Sequence, residues 1–235
     1  MFIVSEIFPQ HSGDLDTAEM LILQSKMAGA NAVKLQLYEG NQFSTDGLDR
    51  SYIELNRKGL KRLIDFGKSI NIPVFSTAFD EERLDWILDL DVKYLKVAAR
   101  MHSEMPELVE KIVEVGITTF VSITEDNLMN DFKSLEHVIP LKCVSSYPTL
   151  LEDWDFTGLS GLGYRGISDH SSGISAALLA NSKGLTYLEK HFTLSRNLQK
   201  STEKAHTGSM DFEELLLLKR LSSEMDLIGR KPKKI

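Results

Sequence analysis

Residues 2–13 read Phe2-Ile3-Val4-Ser5-Glu6-Ile7-Phe8-Pro9-Gln10-His11-Ser12-Gly13. A mostly apolar run passes into a turn built from a proline, polar side chains and a glycine, the pattern of a strand followed by a loop. What this turn lacks separates two α/β architectures. An open, doubly wound sheet carries a GxGxxG turn after its first strand, where the glycines let the backbone close on a phosphate. No such spacing occurs between Phe8 and Gly13. The remaining architecture with alternating strands and helices is a closed barrel.

Beyond this stretch, further apolar or β-branched runs recur at 32–38, 73–79, 94–99, 118–124, 139–147, 163–170 and 186–193. Amphipathic helical spacing fills most intervals, at 15–28, 52–70, 81–90, 105–115, 173–183 and 211–228, with a shorter helix near 126–135. Asp14 or Asp16 is the expected cap of the first helix, and Gly29 stops it. Pro73 ends the second, because a residue before proline avoids the α region. The interval between strands six and seven reads as irregular. Eight such units in 235 residues predict an α/β fold, a (β/α)8 TIM barrel with short loops. One domain is expected over 1–228, followed by a basic tail at 229–235 that reads as a solvated end.

Composition narrows the function. Apolar residues make up 42% and charged residues 26%, which excludes a disordered or collagen-like chain. Lys plus Arg is 27 against 34 Asp plus Glu, a net charge of −7, so nucleic acid is a poor partner. Cys143 is the single cysteine and allows no internal disulfide, which suits a reducing compartment. No apolar run approaches the roughly 18 residues that would span a bilayer. The first residues also lack a signal peptide's basic start and apolar stretch. A cytoplasmic chain without a membrane partner is expected.

In a barrel of this type the chemistry lies at the C-terminal ends of the strands. Strand one ends in Glu6. Strand two alternates Lys34 and Gln36 with Val33, Leu35 and Leu37, so the polar pair should face the lumen while aliphatics meet the outer helices. Strand four carries Lys96, followed by Arg100. Strands five and six bring Ser122, Ser145 and Tyr147. Strands seven and eight bring Ser168, His170, Glu189 and His191. Any one of these is ordinary, because a lone Lys or His is usually solvated or satisfied. Gathering Glu6, Lys34, Lys96 and Glu189 inside one lumen is costly unless the charges serve a purpose. Two lysines with Arg100 and several hydroxyls suit a phosphate and a carboxylate. Two histidines on adjacent strands suit one divalent metal with open positions.

These residues resemble the sialic acid synthase family, which makes N-acetylneuraminate and related nonulosonic acids. Ser5-Glu6-Ile7 with Gln10-His11-Ser12-Gly13 is similar to the family opening A-E-I-G-x-N-H-x-G. The segment from Ala28 to Gln36 resembles A-G-A-D-A-V-K-F-Q, and Phe75-Ser76-Thr77-Ala78-Phe79-Asp80 resembles F-S-T-P-F-D. Cys143-Val144-Ser145-Ser146-Tyr147-Pro148 resembles C-T-S-S-Y-P. Gly166-Ile167-Ser168-Asp169-His170 and Leu188-Glu189-Lys190-His191-Phe192-Thr193-Leu194 resemble G-L-S-D-H and I-E-K-H-F-T-L.

The resemblance implies condensation of phosphoenolpyruvate with the open-chain aldehyde of an N-acyl hexosamine such as N-acetylmannosamine. Water adds at C2 and phosphate leaves. It implies a manganese or magnesium ion on His170 and His191, a Lewis acid toward the aldehyde oxygen. Glu6 would lie near the reacting carbons, Lys34 and Lys96 would grip phosphoenolpyruvate, and Glu189 would contact the sugar. Ser145, Ser168 and Tyr147 fall at polar family positions, and Gln36 and Ser122 complete the expected binding set. A homo-oligomer is compatible with the resemblance.

The departures are specific. At strand four the family reads K-I-A-S-G-D or K-I-G-S-G-E, and this chain reads Lys96-Val97-Ala98-Ala99-Arg100-Met101. The phosphate-binding serine is therefore Ala99, and a glycine is Arg100. Arg100 is expected to hold the phosphate with Lys34 and Lys96, oriented by Glu125. Strand five ends Ser122-Ile123-Thr124-Glu125 instead of S-T-G-M. The family's Pro-Gly-Pro-Asp segment becomes 200–204, leaving Glu203 as the shifted counterpart of a sugar-binding aspartate. The loop at 39–51 is short. The family's antifreeze-like domain has no counterpart in the sequence, so a barrel-only synthase is expected. A non-catalytic or substrate-shifted homologue is the alternative. A 3-deoxy-sugar-phosphate synthase fits the two histidine motifs less well.

Overall fold

The computed structural model of the chain describes residues 1–40, 49–198 and 208–229. Eight parallel strands close into one barrel in sequence order: β1 Phe2–Glu6, β2 Ala32–Leu37, β3 Val74–Ala78, β4 Leu95–Val97, β5 Thr119–Ile123, β6 Val138–Cys143, β7 Gly166–Asp169 and β8 Tyr187–His191. Around them run α1 Leu15–Met27, α2 Arg57–Ser69, α3 Glu81–Leu88, α4 Met101–Glu104, α5 Pro106–Glu114, α6 Met129–Phe132, α7 Leu159–Leu162, α8 Ser175–Ser182 and α9 Phe212–Ile228. The fold is the expected (β/α)8 TIM barrel. Glu203 and residues 230–235 of the basic tail lie outside the described residues. No described helix is long and apolar enough to cross a membrane.

Helix starts follow side chains that accept the unpaired N–H groups of a first turn. Asp14 rather than Asp16 caps α1, and Asp16 sits in the first turn, where the helix dipole favours a carboxylate. Asn56 caps α2 through Gly59 N–H at 2.9 Å, and Asp80 caps α3 through Arg83 N–H at 2.8 Å. Asp211 and Glu214 form a reciprocal capping box on α9. The Asn56 cap also explains a difference from expectation. The helix predicted to begin at 52 begins at Arg57, because Ser51–Ile53 is a separate 3-10 turn.

Strands are shorter than their apolar runs. β4 spans only Leu95–Val97, and Arg100 stands just before α4, an element not predicted. β6 ends at Cys143, so Ser145 and Tyr147 belong to the following loop. The predicted helix at 126–135 is a 3-10 turn, Asp126–Leu128, followed by the single turn α6. The irregular interval after β6 holds a 3-10 turn, Leu151–Asp153, and α7.

Period-two alternation divides the barrel into two cores. Val33, Leu35, Leu37, Val97, Val121, Ile167 and Leu188 face outward into the helix layer. Inside, Val4, Ala32, Phe75, Phe120, Ile139 and Leu141 fill the N-terminal half, with Phe2, Tyr94 and Tyr187 packed on them. Phe75 stacks on Phe120 with centroids 5.7 Å apart, and both rings are fully buried, worth about 1.5–3 kcal/mol each. This aromatic layer fills the N-terminal half of the lumen. The next inward positions along the strands are polar.

Candidate active site

Above the aromatic layer, β1 presents Glu6, β2 Lys34, β4 Lys96 and β8 Glu189, all buried. Register decides which of them meet. Glu6 is the Cα partner of Lys34 on one side and of His191 on the other. The Lys34 ammonium forms a close ion pair with Glu6 and lies 3.8 Å from Glu189. Lys96 approaches the other Glu189 oxygen at 3.8 Å and donates to Ser122 Oγ at 2.7 Å and Val97 O at 2.6 Å. Phe8 N–H donates to Glu6 Oε1 at 2.8 Å, and Ser168 Oγ–H donates to Glu189 Oε1 at 3.0 Å. Carboxylate and ammonium thus alternate in a balanced cluster of two anions and two cations.

The electrostatics of the four differ. Burial pushes Glu6 above the usual carboxylate range even with Lys34 beside it. Burial acts against the charge on Lys34, but Glu189 and Glu6 outweigh it and raise its pKa. Burial also opposes the charge on Glu189, and Lys34 and Lys96 more than offset it, so Glu189 is held ionised. Lys96 has the poorer share of carboxylate contacts, and burial lowers it to about 8.

The cluster forms the base of a cavity of about 430 Å³ at the C-terminal mouth. Every described residue of the expected set lines it: Glu6, Lys34, Gln36, Lys96, Arg100, Ser122, Ser145, Tyr147, Ser168, His170, Glu189 and His191. Ser122 and Ser168 line the same cavity, and their hydroxyls hold Lys96 and Glu189. Arg100, an exposed residue of the β4 loop, lines the cavity mouth with its guanidinium 4.5 Å from the centroid of the Phe79 ring. Its expected partner, Glu125, is exposed and does not line the cavity. Among the described residues Glu104, on α4, is a carboxylate that acts on Arg100.

Arg50 and Tyr38 also line the cavity and were not expected. Tyr38 follows Gln36 by two residues, so the same alternation could have found it, whereas Arg50 lies in the loop after β2, where no period or spacing marks a side chain as inward-facing. Cys143 lies among the lining residues too, and burial raises its thiol to about 12, so it stays protonated and unreactive near neutral pH. Lys142 cannot activate it, because it points away to pair with Asp126 at 2.7 Å.

His170 and His191 face one another across the mouth with ring centroids 5.9 Å apart. Burial lowers His170 to about 4, so its ring is neutral. Its Nδ1 lies 3.3 Å from Val144 O, and Tyr147 OH lies 3.0 Å from Nε2. That pairing makes Nδ1 the donor and Nε2 the acceptor of the Tyr147 hydroxyl, so a metal ion on Nε2 would take the place of that hydrogen bond. Gln10 Nε2 stands 3.4 Å from His191 Nδ1 and donates to Ser209 Oγ at 2.8 Å. With imidazole nitrogens about 2.0–2.1 Å from a first-row ion, two rings sharing it span roughly 5–6 Å, so this pair fits one metal. Among the described residues no group of three or more His, Cys, Asp and Glu forms a metal cage. An ion here would have two ligands among the described residues, with its other positions open to water or substrate.

This geometry has relatives. The N,N'-diacetyllegionaminic acid synthase of Legionella pneumophila is 27% identical over 248 residues, covering 91% of this chain and 69% of that protein. A pseudaminic acid synthase of Campylobacter jejuni is 28% identical over 247 residues, covering 91% and 70%. The crystal structure of the N-acetylneuraminic acid synthetase of Leptospira borgpetersenii, in complex with citrate, superposes with a TM-score of 0.88. It has 28% identity and covers all of this chain and 87% of that one. Residues 21–231 match the NeuB family, and the chain is a member of that family.

Proposed function

We propose that this protein condenses phosphoenolpyruvate with the open-chain aldehyde of an N-acyl hexosamine, similar to N-acetylmannosamine, to give a nonulosonic acid and inorganic phosphate. The observation that carries the reading is the alternating cluster of Glu6, Lys34, Glu189 and Lys96 beneath two histidines in one cavity. The named relatives, each a synthase of a sugar acid, support the same chemistry.

The reaction forms one carbon–carbon bond, from C3 of phosphoenolpyruvate to the aldehyde carbon. Water supplies the new oxygen at C2, and the phosphate leaves with its bridging oxygen and the electrons of the C2–O bond. Lys34, Lys96 and Arg100 supply cations to the carboxylate and phosphate of phosphoenolpyruvate. Glu6 receives the proton of the water that adds at C2 and faces the positive charge that develops there. Its raised affinity for protons suits that role. Glu189, kept ionised by both lysines, accepts from the sugar hydroxyls. Gln36, Ser145 and Tyr147 line the space above, where they orient the aldehyde. Manganese or magnesium, held by His170 and His191, would supply Lewis acidity toward the aldehyde oxygen.

The test is phosphate release from phosphoenolpyruvate by the purified protein with Mn²⁺ and a panel of N-acyl hexosamines. Phosphate should appear in step with an acidic sugar product, and Glu6→Gln should slow it about 10²–10⁴-fold. Phosphoenolpyruvate binding without phosphate release on any aldehyde would sink the proposal in favour of a non-catalytic homologue.

A further inference from the structure

Behind the two histidines, on the outer face of the same strands, lies a buried ion pair that, among the described residues, touches none of the cavity lining other than through the backbone of its own strands. Asp169 and Lys190 are Cα partners across the β7–β8 ladder, their charged groups 2.9 Å apart and both wholly buried. Each immediately precedes one of the histidines. Because side chains alternate across a strand, Asp169 and Lys190 point out of the barrel while His170 and His191 point in. Lys190 also donates to Ser171 O. It therefore holds His170 from both sides in sequence, through the side chain of residue 169 and the carbonyl of residue 171. Ser171 N–H and Oγ–H close the loop on Asp169 Oδ1 at 2.8 and 2.6 Å.

The backbones of both histidines are also clamped from outside the ladder. Thr149 N–H donates to His170 O at 3.1 Å, and Met210 N–H donates to His191 O at 2.8 Å. Gly208 lies so close to His170 that a Cβ there would stand 2.2 Å from the His170 carbonyl oxygen. Two fully buried charges are expensive, and a well-packed apolar pair often serves stability equally well. An ion pair in this place instead gives a fixed, directional link between two backbones.

We propose that Asp169 and Lys190 are positioning residues that set the separation and orientation of the His170–His191 metal pair. The inference rests on the metal reading of that pair. It extends it by assigning the geometry of the pair to an ion pair on the opposite face of the sheet. Outer partners that orient metal ligands typically alter metal affinity 10- to 100-fold when removed.

The test compares wild type with Asp169→Asn/Lys190→Met, which removes both charges together and keeps an acceptor for Ser171. Mn²⁺ binding and, separately, phosphoenolpyruvate binding without metal are measured by calorimetry, with folding followed by circular dichroism. The expected result is a folded protein whose Mn²⁺ affinity falls about 10- to 100-fold while phosphoenolpyruvate affinity stays at the wild-type level. Unchanged Mn²⁺ affinity, or a parallel loss of both affinities, would mean that the pair is only structural and would overturn the inference. Should the double variant fail to fold, Ser171→Ala keeps both charges while removing one bond to Asp169. It should weaken Mn²⁺ binding alone, and no change overturns the inference equally. A wild-type protein that binds no Mn²⁺, or binds it as well after His170→Ala, overturns the metal reading itself. Wild-type binding that His170→Ala destroys and Asp169→Asn/Lys190→Met leaves intact overturns only the positioning role.

Discussion

Lys96 and Ser122 stand on adjacent strands inside the lumen, the ammonium 2.7 Å from the hydroxyl oxygen. The contact holds a lysine whose charge burial makes costly, with its pKa brought down to about 8. Lys34, one element away from Lys96 across β3, has its proton held more firmly by two carboxylates. Only one of the two lysines at the base of the cavity therefore changes charge near physiological pH.

Lys96 is cationic below about pH 8 and loses its proton above it, so the attraction for an anionic substrate weakens as pH rises. Phosphoenolpyruvate affinity, measured by calorimetry from about pH 6.5 to 9.5, should be level at first and then fall by up to about tenfold per pH unit above that value. Lys96→Arg, which stays charged throughout, should remove the downturn. A downturn that survives in Lys96→Arg would assign it to another group.

Arg100→Lys keeps a positive charge but loses the planar fork and the guanidinium contact with the Phe79 ring. Phosphoenolpyruvate binding should weaken by about 1–3 kcal/mol, the scale of a charged hydrogen bond. Equal affinities in wild type and variant would show that the phosphate is held elsewhere in the cavity.

Cys143→Ser should leave turnover close to the wild-type rate, because a thiol raised to about 12 is not a nucleophile near neutral pH. Iodoacetamide should label the native protein slowly and the urea-unfolded protein fast. Complete loss of phosphate release in a folded Cys143→Ser protein would give the thiol a chemical role.

Gly166→Ala probes the barrel seam. A Cβ at 166 would stand 2.0 Å from Tyr187 O and 2.6 Å from its carbonyl carbon, so β7 and β8 would have to separate. The cost should be about 1–3 kcal/mol or more, read as a lower midpoint in urea unfolding. An unchanged midpoint would mean that the two strands do not approach so closely.

Legibility in the sequence differs by residue. Alternation along 32–38 is enough to turn Lys34 and Gln36 into the lumen, because one face of that strand is aliphatic and the other is not. The same rule finds Glu6, Lys96 and Glu189. It overreaches at strand ends: the apolar run through Tyr147 continues past the last residue of β6, Cys143, into a loop tied down where Thr149 N–H meets His170 O. Arg50 escapes it altogether, since nothing in the loop after β2 imposes a period.

Periodicity and capping act over a few residues, so the barrel, its order of elements and the side chains that point inward are written in the chain itself. Which of those side chains meet is a property of the closed sheet. Closure brings β8 beside β1, so Glu6 lies between Lys34 and His191, partners far apart in the chain. The pairing of Asp169 with Lys190, the 5.9 Å between the histidine rings and the stacking of Arg100 on Phe79 arise in the same way. Register and loop packing are set by all eight strands together, and no local spacing encodes them.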